Sequence, residues 1–171
     1  MRVGITGTPG TGKSTVADVL EDRTSLEVVH LGERLADEDL VTGQDADRGS
    51  VIADIDALAA RVETWDDVIV ESHLVHHLPV DRVVVLRCAP AELERRLGER
   101  GVTEASIQEN AESEALDVIL AEAVDQHGRE SVYEIDTTNL RPNAVADAIE
   151  AVLEGRRDPS AGTVDFIEYL A

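Results

Sequence analysis

The chain is short of cations, aromatics and thiols, and each shortage removes a class of function. Its 171 residues carry 15 basic side chains against 36 acidic ones, a formal net charge of −21. So negative a field repels free nucleic acid and anionic membrane, and neither is expected as a direct partner. Aromatic residues amount to 2%, while the 43% apolar content is mostly Val, Leu, Ala and Ile. That composition belongs to a globular chain packed with aliphatic side chains. One cysteine, Cys88, excludes an internal disulfide and fits a reducing cytoplasm, the expected location. No apolar run approaches the ~20 residues of a membrane helix, and the first residues enter a strand pattern without a signal sequence. The length fits one domain.

The acids are dispersed, from Glu33 to Asp47, Glu104 to Asp125 and Asp147 to Asp165. Dispersed acidity with arginine in place of lysine reads as adaptation to high intracellular salt, where screening removes self-repulsion. It describes a halophilic habitat, not an activity.

Against that background one lysine remains, Lys13. It stands in Gly7-Thr8-Pro9-Gly10-Thr11-Gly12-Lys13-Ser14-Thr15, a complete G-x-x-x-x-G-K-[ST] phosphate-binding loop. Arg2–Thr6 reads as the strand before it, and a helix follows to about Arg23, which is the context the motif requires. Glycines let successive N–H groups converge on one anion, aided by the helix N-terminus. Lys13 would reach the β- and γ-phosphates of a nucleoside triphosphate, and the Ser14 hydroxyl would ligate Mg²⁺.

Downstream, short apolar runs alternate with helical periodicity, the pattern of an α/β fold with a parallel sheet. Val28–His30, Val68–Val70, Val83–Leu86 and Val132–Ile135 complete a set of five strands. Leu31–Asp39 predicts a short helix and Thr42–Ser50 a polar stretch. Ile52, Ile55, Leu58, Ala59 and Val62 predict a helical face. Pro90 opens a helix to about Arg100, one long helix is expected over Thr103–His127, and Val145–Leu153 marks the last. The tail at Ser160–Ala171 could dock on the body or on a partner.

Glu71 ends an apolar strand, where a carboxylate would face the ligand crevice and serve Mg²⁺ through water. His73 is placed to orient water or phosphate beside it. With His76 and His77 it invites a zinc assignment, but Cys88 is too isolated to complete a four-ligand site, so zinc is the minor reading. Arg96 and Arg100 are four apart on one helical face before Gly101, as on a mobile lid that delivers cations to a transferring phosphoryl group.

These residues resemble the small P-loop adenylate kinases of the isoenzyme-six type, over nearly the whole chain. The resemblance rests on Gly7–Thr15, Leu31-Gly32-Glu33, Glu71-Ser72-His73, Arg96-Leu97-Gly98-Glu99-Arg100-Gly101 and Asn110. It implies a three-layer P-loop NTPase fold of the nucleoside-monophosphate-kinase type, with a five-stranded parallel sheet. Residues of about 30–53 would bind the monophosphate, with Gly32, Glu33 and Arg34 at the substrate; about 99–109 would form the lid, and 155–171 the tail. Gly10, Gly12, Lys13, Ser14, Thr15 and Arg100 would contact ATP. Lys13, Arg96, Arg100, Glu71 and His73 would be catalytic, and Ser14 and Glu71 would hold magnesium.

The implied reaction is transfer from Mg-ATP to AMP giving two ADP, with slow ATP hydrolysis beside it. The resemblance also implies a role in small-ribosomal-subunit maturation through a platform ribosomal protein. The alternative is a nucleotide-gated ribosome assembly ATPase with little AMP kinase activity. Glu71 and Ser72 replace the Asp and aromatic of many relatives, and Ala36 stands where an arginine could meet the monophosphate. Thr103–His127 has seven acids and no Lys or Arg, so slow phosphotransfer is expected. A kinase for another small acceptor, such as a sugar acid or shikimate, is a third reading. A GTPase is disfavoured because Asp136-Thr137-Thr138-Asn139 is not N-K-x-D; that segment is expected beside adenine.

Overall fold

The computed structural model describes the backbone of residues 1–38, 41–45 and 50–171, and their side chains except over 35–53. Five strands form one parallel sheet: β1 (Arg2–Gly7), β2 (Glu27–His30), β5 (Val68–Glu71), β6 (Arg82–Arg87) and β7 (Val132–Asp136), in the order β2-β5-β1-β6-β7. Register pairs Ile5 of β1 with Glu71 of β5 and Val84 of β6. The phosphate loop therefore leaves the middle of the sheet at its C-terminal edge, flanked by the end of β5.

Alternation along the strands divides the core into two faces. Val3, Ile5, Ile69, Val84 and Leu86 pack against Val16 and Leu20 of α1 (Lys13–Glu21) and Val145, Ile149 and Val152 of α7 (Pro142–Leu153). Val68, Val70, Val83 and Val85 pack against Leu58 and Val62 of α3 (Ile55–Val62) and Leu120 of α6 (Val118–His127). Strands buried on both sides need apolar residues at consecutive positions, which is why β5 and β6 read as unbroken Val/Ile/Leu runs. The three layers and five parallel strands are those anticipated.

Local signals set several helix starts. The Asp54 side chain accepts from Ala57 N–H at the head of α3. Pro90 occupies the first turn of α4 (Pro90–Glu99), where the missing N–H is harmless. Thr103 caps α5 (Glu104–Ala115). After β2 the chain enters α2 (Leu31–Glu38), and the polar stretch at Thr42–Ser50 includes strand residues: β3 (Val41–Asp45) pairs antiparallel with β4 (Ser50–Ala53). Ile52 belongs to β4, not to the face of α3. Residues 39–40 and 46–49 lie outside the described residues, as do the side chains of most of the 30–53 segment, Ala36 included.

The expected helix over Thr103–His127 is two helices, α5 and α6, broken at Leu116 and Asp117, whose φ is 55°. The cause is Arg87 at the end of β6, 1% exposed. Its guanidinium bonds the carboxylates of Glu114, Asp117 and Glu134 and the main-chain oxygen of Glu114. A continuous helix would give that carbonyl to residue 118; here it accepts from Arg87 and from Asp117 N–H, and the ladder is interrupted.

The same cluster receives the tail, which docks on the body. Gly162 and Thr163 N–H donate to Glu134, Phe166 lies over the Arg87 guanidinium at 5.5 Å, and the Tyr169 hydroxyl donates to Glu94. Among the described residues no helix is long and apolar enough to cross a membrane.

Candidate functional site

Between β1 and α1 the chain curls through Gly10 and Gly12, whose φ values of 94° and 95° are closed to most side chains. The turn is pinned from within: Thr11 donates to Thr8 O through its N–H (3.2 Å) and its hydroxyl (2.8 Å). Lys13 folds back over the loop, and its Nζ donates to Gly7 O at 2.8 Å and Thr8 O at 3.2 Å. Burial disfavours its charge and lowers its pKa to about 8, with Glu71 opposing that shift and Arg100 adding to it. A cation held over a glycine-rich turn at a helix N-terminus, at a pKa that a bound anion would raise, is suited to phosphate.

Next along α1, the Ser14 hydroxyl donates to Glu71 Oε1 at 3.2 Å. Glu71 Oε2 meets His30 Nδ1 at 3.0 Å, and His30 Nε2 faces Asp18 at 3.0 Å and Glu21 at 3.3 Å. Burial opposes charging of His30, but the Glu71 hydrogen bond and the surrounding acids prevail and raise its pKa. Both Glu71 oxygens are thus oriented, one toward the loop and one away. A serine hydroxyl and a buried carboxylate side by side form a hard, all-oxygen donor set, and it fits Mg²⁺, which takes one or two protein oxygens and keeps its waters.

One cleft is lined by Gly10, Gly12, Lys13, Ser14, Thr15, His73 and Arg100. Withdrawal from water and the nearby Lys13 charge hold His73 below the ordinary histidine pKa. Arg100 caps α4 just before the turn at Gly101; it is exposed, and it has no side-chain partner among the described residues.

Arg96, the other predicted cation, is committed. Its guanidinium donates to Gly10 O (3.2 Å) and Thr137 O (3.1 Å) and its Nε to Glu92 (3.1 Å), lashing the loop to the segment after β7. Thr137 completes that tie by donating to Thr11 O at 3.1 Å. Thr137 also lines an adjoining cleft with Thr15, Val16, Leu140, Val145 and Arg100, so the Asp136–Asn139 segment borders the site. Gly32 and Glu33 lie exposed at the head of α2, while Arg34 pairs with Glu27 and sits 5.4 Å from the Trp65 ring.

The structure brings Gly10, Gly12, Lys13, Ser14, Thr15, Glu71, His73 and Arg100 to one place; Arg34 is turned to other partners. His30 went unnoticed as a site residue in the sequence, and Thr137 was read only as part of a segment expected beside adenine, not as a tie to the loop. His30 is one strand over from Glu71 and paired with it in register, a signal that needs the strand order.

A protein-family profile described as an AAA domain matches residues 3–117. The chain is 58% identical over 170 residues to a protein of Natronomonas pharaonis named "Putative adenylate kinase", covering 99% of this chain and all of that one. Proteins of the same name in Halobacterium salinarum and Methanothermobacter thermautotrophicus are 55% and 44% identical, over 99% and 97% of this chain and 100% and 97% of theirs. The halophilic relatives agree with the acidic surface. Among solved structures, shikimate kinase from Acinetobacter baumannii superposes with a TM-score of 0.67 at 13% identity, covering 91% of this chain and 94% of that one. Deoxyadenosine kinase from M. mycoides does so with a TM-score of 0.60 at 13% identity, over 90% of this chain and all of that one. Those likenesses establish the P-loop kinase fold, and the full-length sequence matches go further: the chain belongs to the archaeal adenylate kinase family of P-loop phosphotransferases.

Proposed function

We propose that the chain transfers the γ-phosphoryl group of Mg-ATP to AMP, forming two ADP. The observation that carries this reading is the juxtaposition of the lysine-bearing loop with the Ser14–Glu71 oxygen pair and Arg100, which has no side-chain partner among the described residues, across one cleft. Loop amides and Lys13 would bind the β- and γ-phosphates, and Arg100 would meet the charge on the transferring group. Arg96 would act as a positioning residue that fixes the loop. Magnesium, held by Ser14 and served by Glu71, would supply charge neutralisation on the phosphate oxygens. The adenine of ATP would lie in the Thr137–Leu140 cleft, and AMP would be taken by the 30–53 segment.

Chemistry separates this activity from hydrolysis. In AMP phosphorylation an anionic phosphate oxygen attacks Pγ and the bond to the β-phosphate oxygen breaks, so no proton need be removed. Hydrolysis begins from water, whose proton needs an acceptor. Neutral His73 at the cleft is suited to take it, so His73→Ala should reduce hydrolysis more than AMP phosphorylation.

A second reading, a nucleotide-gated ribosome assembly ATPase working with a platform ribosomal protein, is favoured by one observation. The α5–α6 region carries seven acids and no Lys or Arg, which leaves few cations to clamp phosphates. The deciding experiment measures ADP formation from ATP and Mg²⁺ with and without AMP, in molar KCl, with Lys13→Ala as the blank. Strong AMP dependence supports the kinase. Slow hydrolysis indifferent to AMP and stimulated by the ribosomal protein supports the second reading; full turnover by Lys13→Ala would overturn both.

A further inference from the structure

Away from the phosphate loop, the segment joining β5 to β6 contains a short 3₁₀ turn, Val75–His77. Consecutive residues on such a turn project about 120° apart, so two neighbouring side chains do not ordinarily aim at one point. Here they do. His76 Nε2 lies 2.8 Å from Glu122 Oε2 on α6, and His77 Nε2 lies 3.6 Å from the same oxygen. The two rings are tilted by 42° with centroids 4.1 Å apart. All three donor atoms fall within 4.8 Å of one another, and the 2.8 and 3.6 Å separations from Glu122 bracket the ~3.3 Å between corners of a tetrahedron around a metal with such ligands.

The surroundings are those of a supported ligand set. The far nitrogen of His76, Nδ1, meets Thr6 Oγ1 at 2.9 Å, the outer contact that fixes tautomer and ring orientation in metal-bound histidines. The His76 carbonyl accepts from His127 Nε2 at 2.8 Å, which holds the turn against the end of α6. His76 is 1% exposed, whereas the His77 and Glu122 side chains are 32% and 45% exposed. Two histidines and a carboxylate on the open side leave a fourth position for water. Glu122 is too exposed to need two imidazole partners to offset burial. Imidazole and carboxylate donors in this number suit zinc or a similar borderline divalent ion, not magnesium.

We propose that His76, His77 and Glu122 form a zinc-type metal site, separate from the nucleotide cleft. A metal there ties the β5–β6 segment, which also carries His73, to α6. Through His76 and Thr6 it braces the end of β1 where the phosphate loop begins. The proposal rests on no assumption about the phosphate acceptor.

The test uses the full chain, stripped with chelator and returned to chelator-free molar KCl. Zinc is titrated against a chromophoric chelator, and cobalt is added separately as a spectroscopic probe. The expected results are one zinc per chain and the visible bands of tetrahedral cobalt. Thermal unfolding should move up by about 5 to 10 °C when zinc is near 100 times its Kd. His77→Ala and Glu122→Gln, both at half-exposed positions that should not disturb folding, are each expected to weaken zinc at least about tenfold. The double variant Asp18→Asn/Glu21→Gln, which alters the other His-and-acid cluster at His30, should leave binding unchanged. Three results would each overturn the proposal: equal zinc binding by wild type and His77→Ala, loss of zinc in the Asp18/Glu21 variant, or displacement of zinc by Mg-ATP.

Discussion

Lys13 should cost the ligand-free protein stability, and replacing it should therefore make the fold more robust while ending catalysis. Burial lowers its pKa from 10.5 to about 8, and at 1.36 kcal/mol per unit that places the cost of the buried charge near ~3 kcal/mol. Lys13→Met keeps a comparable length and removes the charge. It forfeits the hydrogen bonds to Gly7 O and Thr8 O, worth about 1 kcal/mol each, although those carbonyls border an open cleft that water can enter. The net expectation at pH 7 is a variant more stable by about 1 to 2 kcal/mol, a rise in Tm of roughly 4 °C for a chain of this size. The pH dependence carries the sign. Between about 8 and 10.5 the unfolded lysine binds a proton that the native one has released, so wild-type stability rises with pH there while the variant gains nothing. By pH 9.5 some 2 kcal/mol of the difference should have gone, leaving wild type level or ahead. The assay is thermal unfolding followed by circular dichroism at pH 7 and 9.5, nucleotide-free, in molar KCl. A variant less stable than wild type at pH 7, or a gap that does not change with pH, would refute the reasoning.

Arg96 and Arg100 should part company. Arg100→Ala is expected to cut ADP formation by about 10²–10³-fold with Tm unchanged, whereas Arg96→Ala, which unties Gly10 from Thr137, should lower Tm as well as turnover. Arg87→Leu should destabilise by about 3–5 kcal/mol, because it strands Glu114, Asp117 and Glu134 without their shared cation; chemical denaturation in high salt measures it. Cys88 is 0% exposed, and burial pushes its pKa up to about 11. A thiol reagent at pH 8 should therefore label it only as fast as the chain opens, with added denaturant restoring rapid reaction.

Much of this was legible because the relevant signals are local. The loop announces itself in nine consecutive residues, and Glu71 follows from the rule that an acid ending a buried parallel strand faces the crevice. What escaped depends on residues far apart. His30 and Glu71 are 41 positions distant and meet only because β2 lies beside β5. The break at Asp117 could not be read from helical periodicity, since its cause is Arg87 reaching across from another strand. In sequence Arg87 looks like an ordinary charged residue ending a strand, and nothing local tells that three acids and Phe166 enclose it. Arg96 was legible as a cation near the loop, but its commitment to backbone carbonyls was not, because main-chain acceptors leave no trace in composition. The antiparallel pair of β3 and β4 was hidden because Thr42–Asp45 is polar and because Ile52 of β4 also fits the spacing of the helical face that begins at Ile55.

The solitary, buried lysine also makes the molecule its own reporter. A protease that cleaves only after lysine has a single target, at the head of α1 beneath the phosphate loop, and can reach it only when the nucleotide site comes apart. Likewise, an amine-directed label has one side chain to find, and the α-amino group that competes with it is paired with Asp67 at 3.0 Å. Cleavage and labelling rates at Lys13 would therefore track the opening of the phosphate loop itself, and the degree to which a bound nucleotide closes it, without any engineered probe.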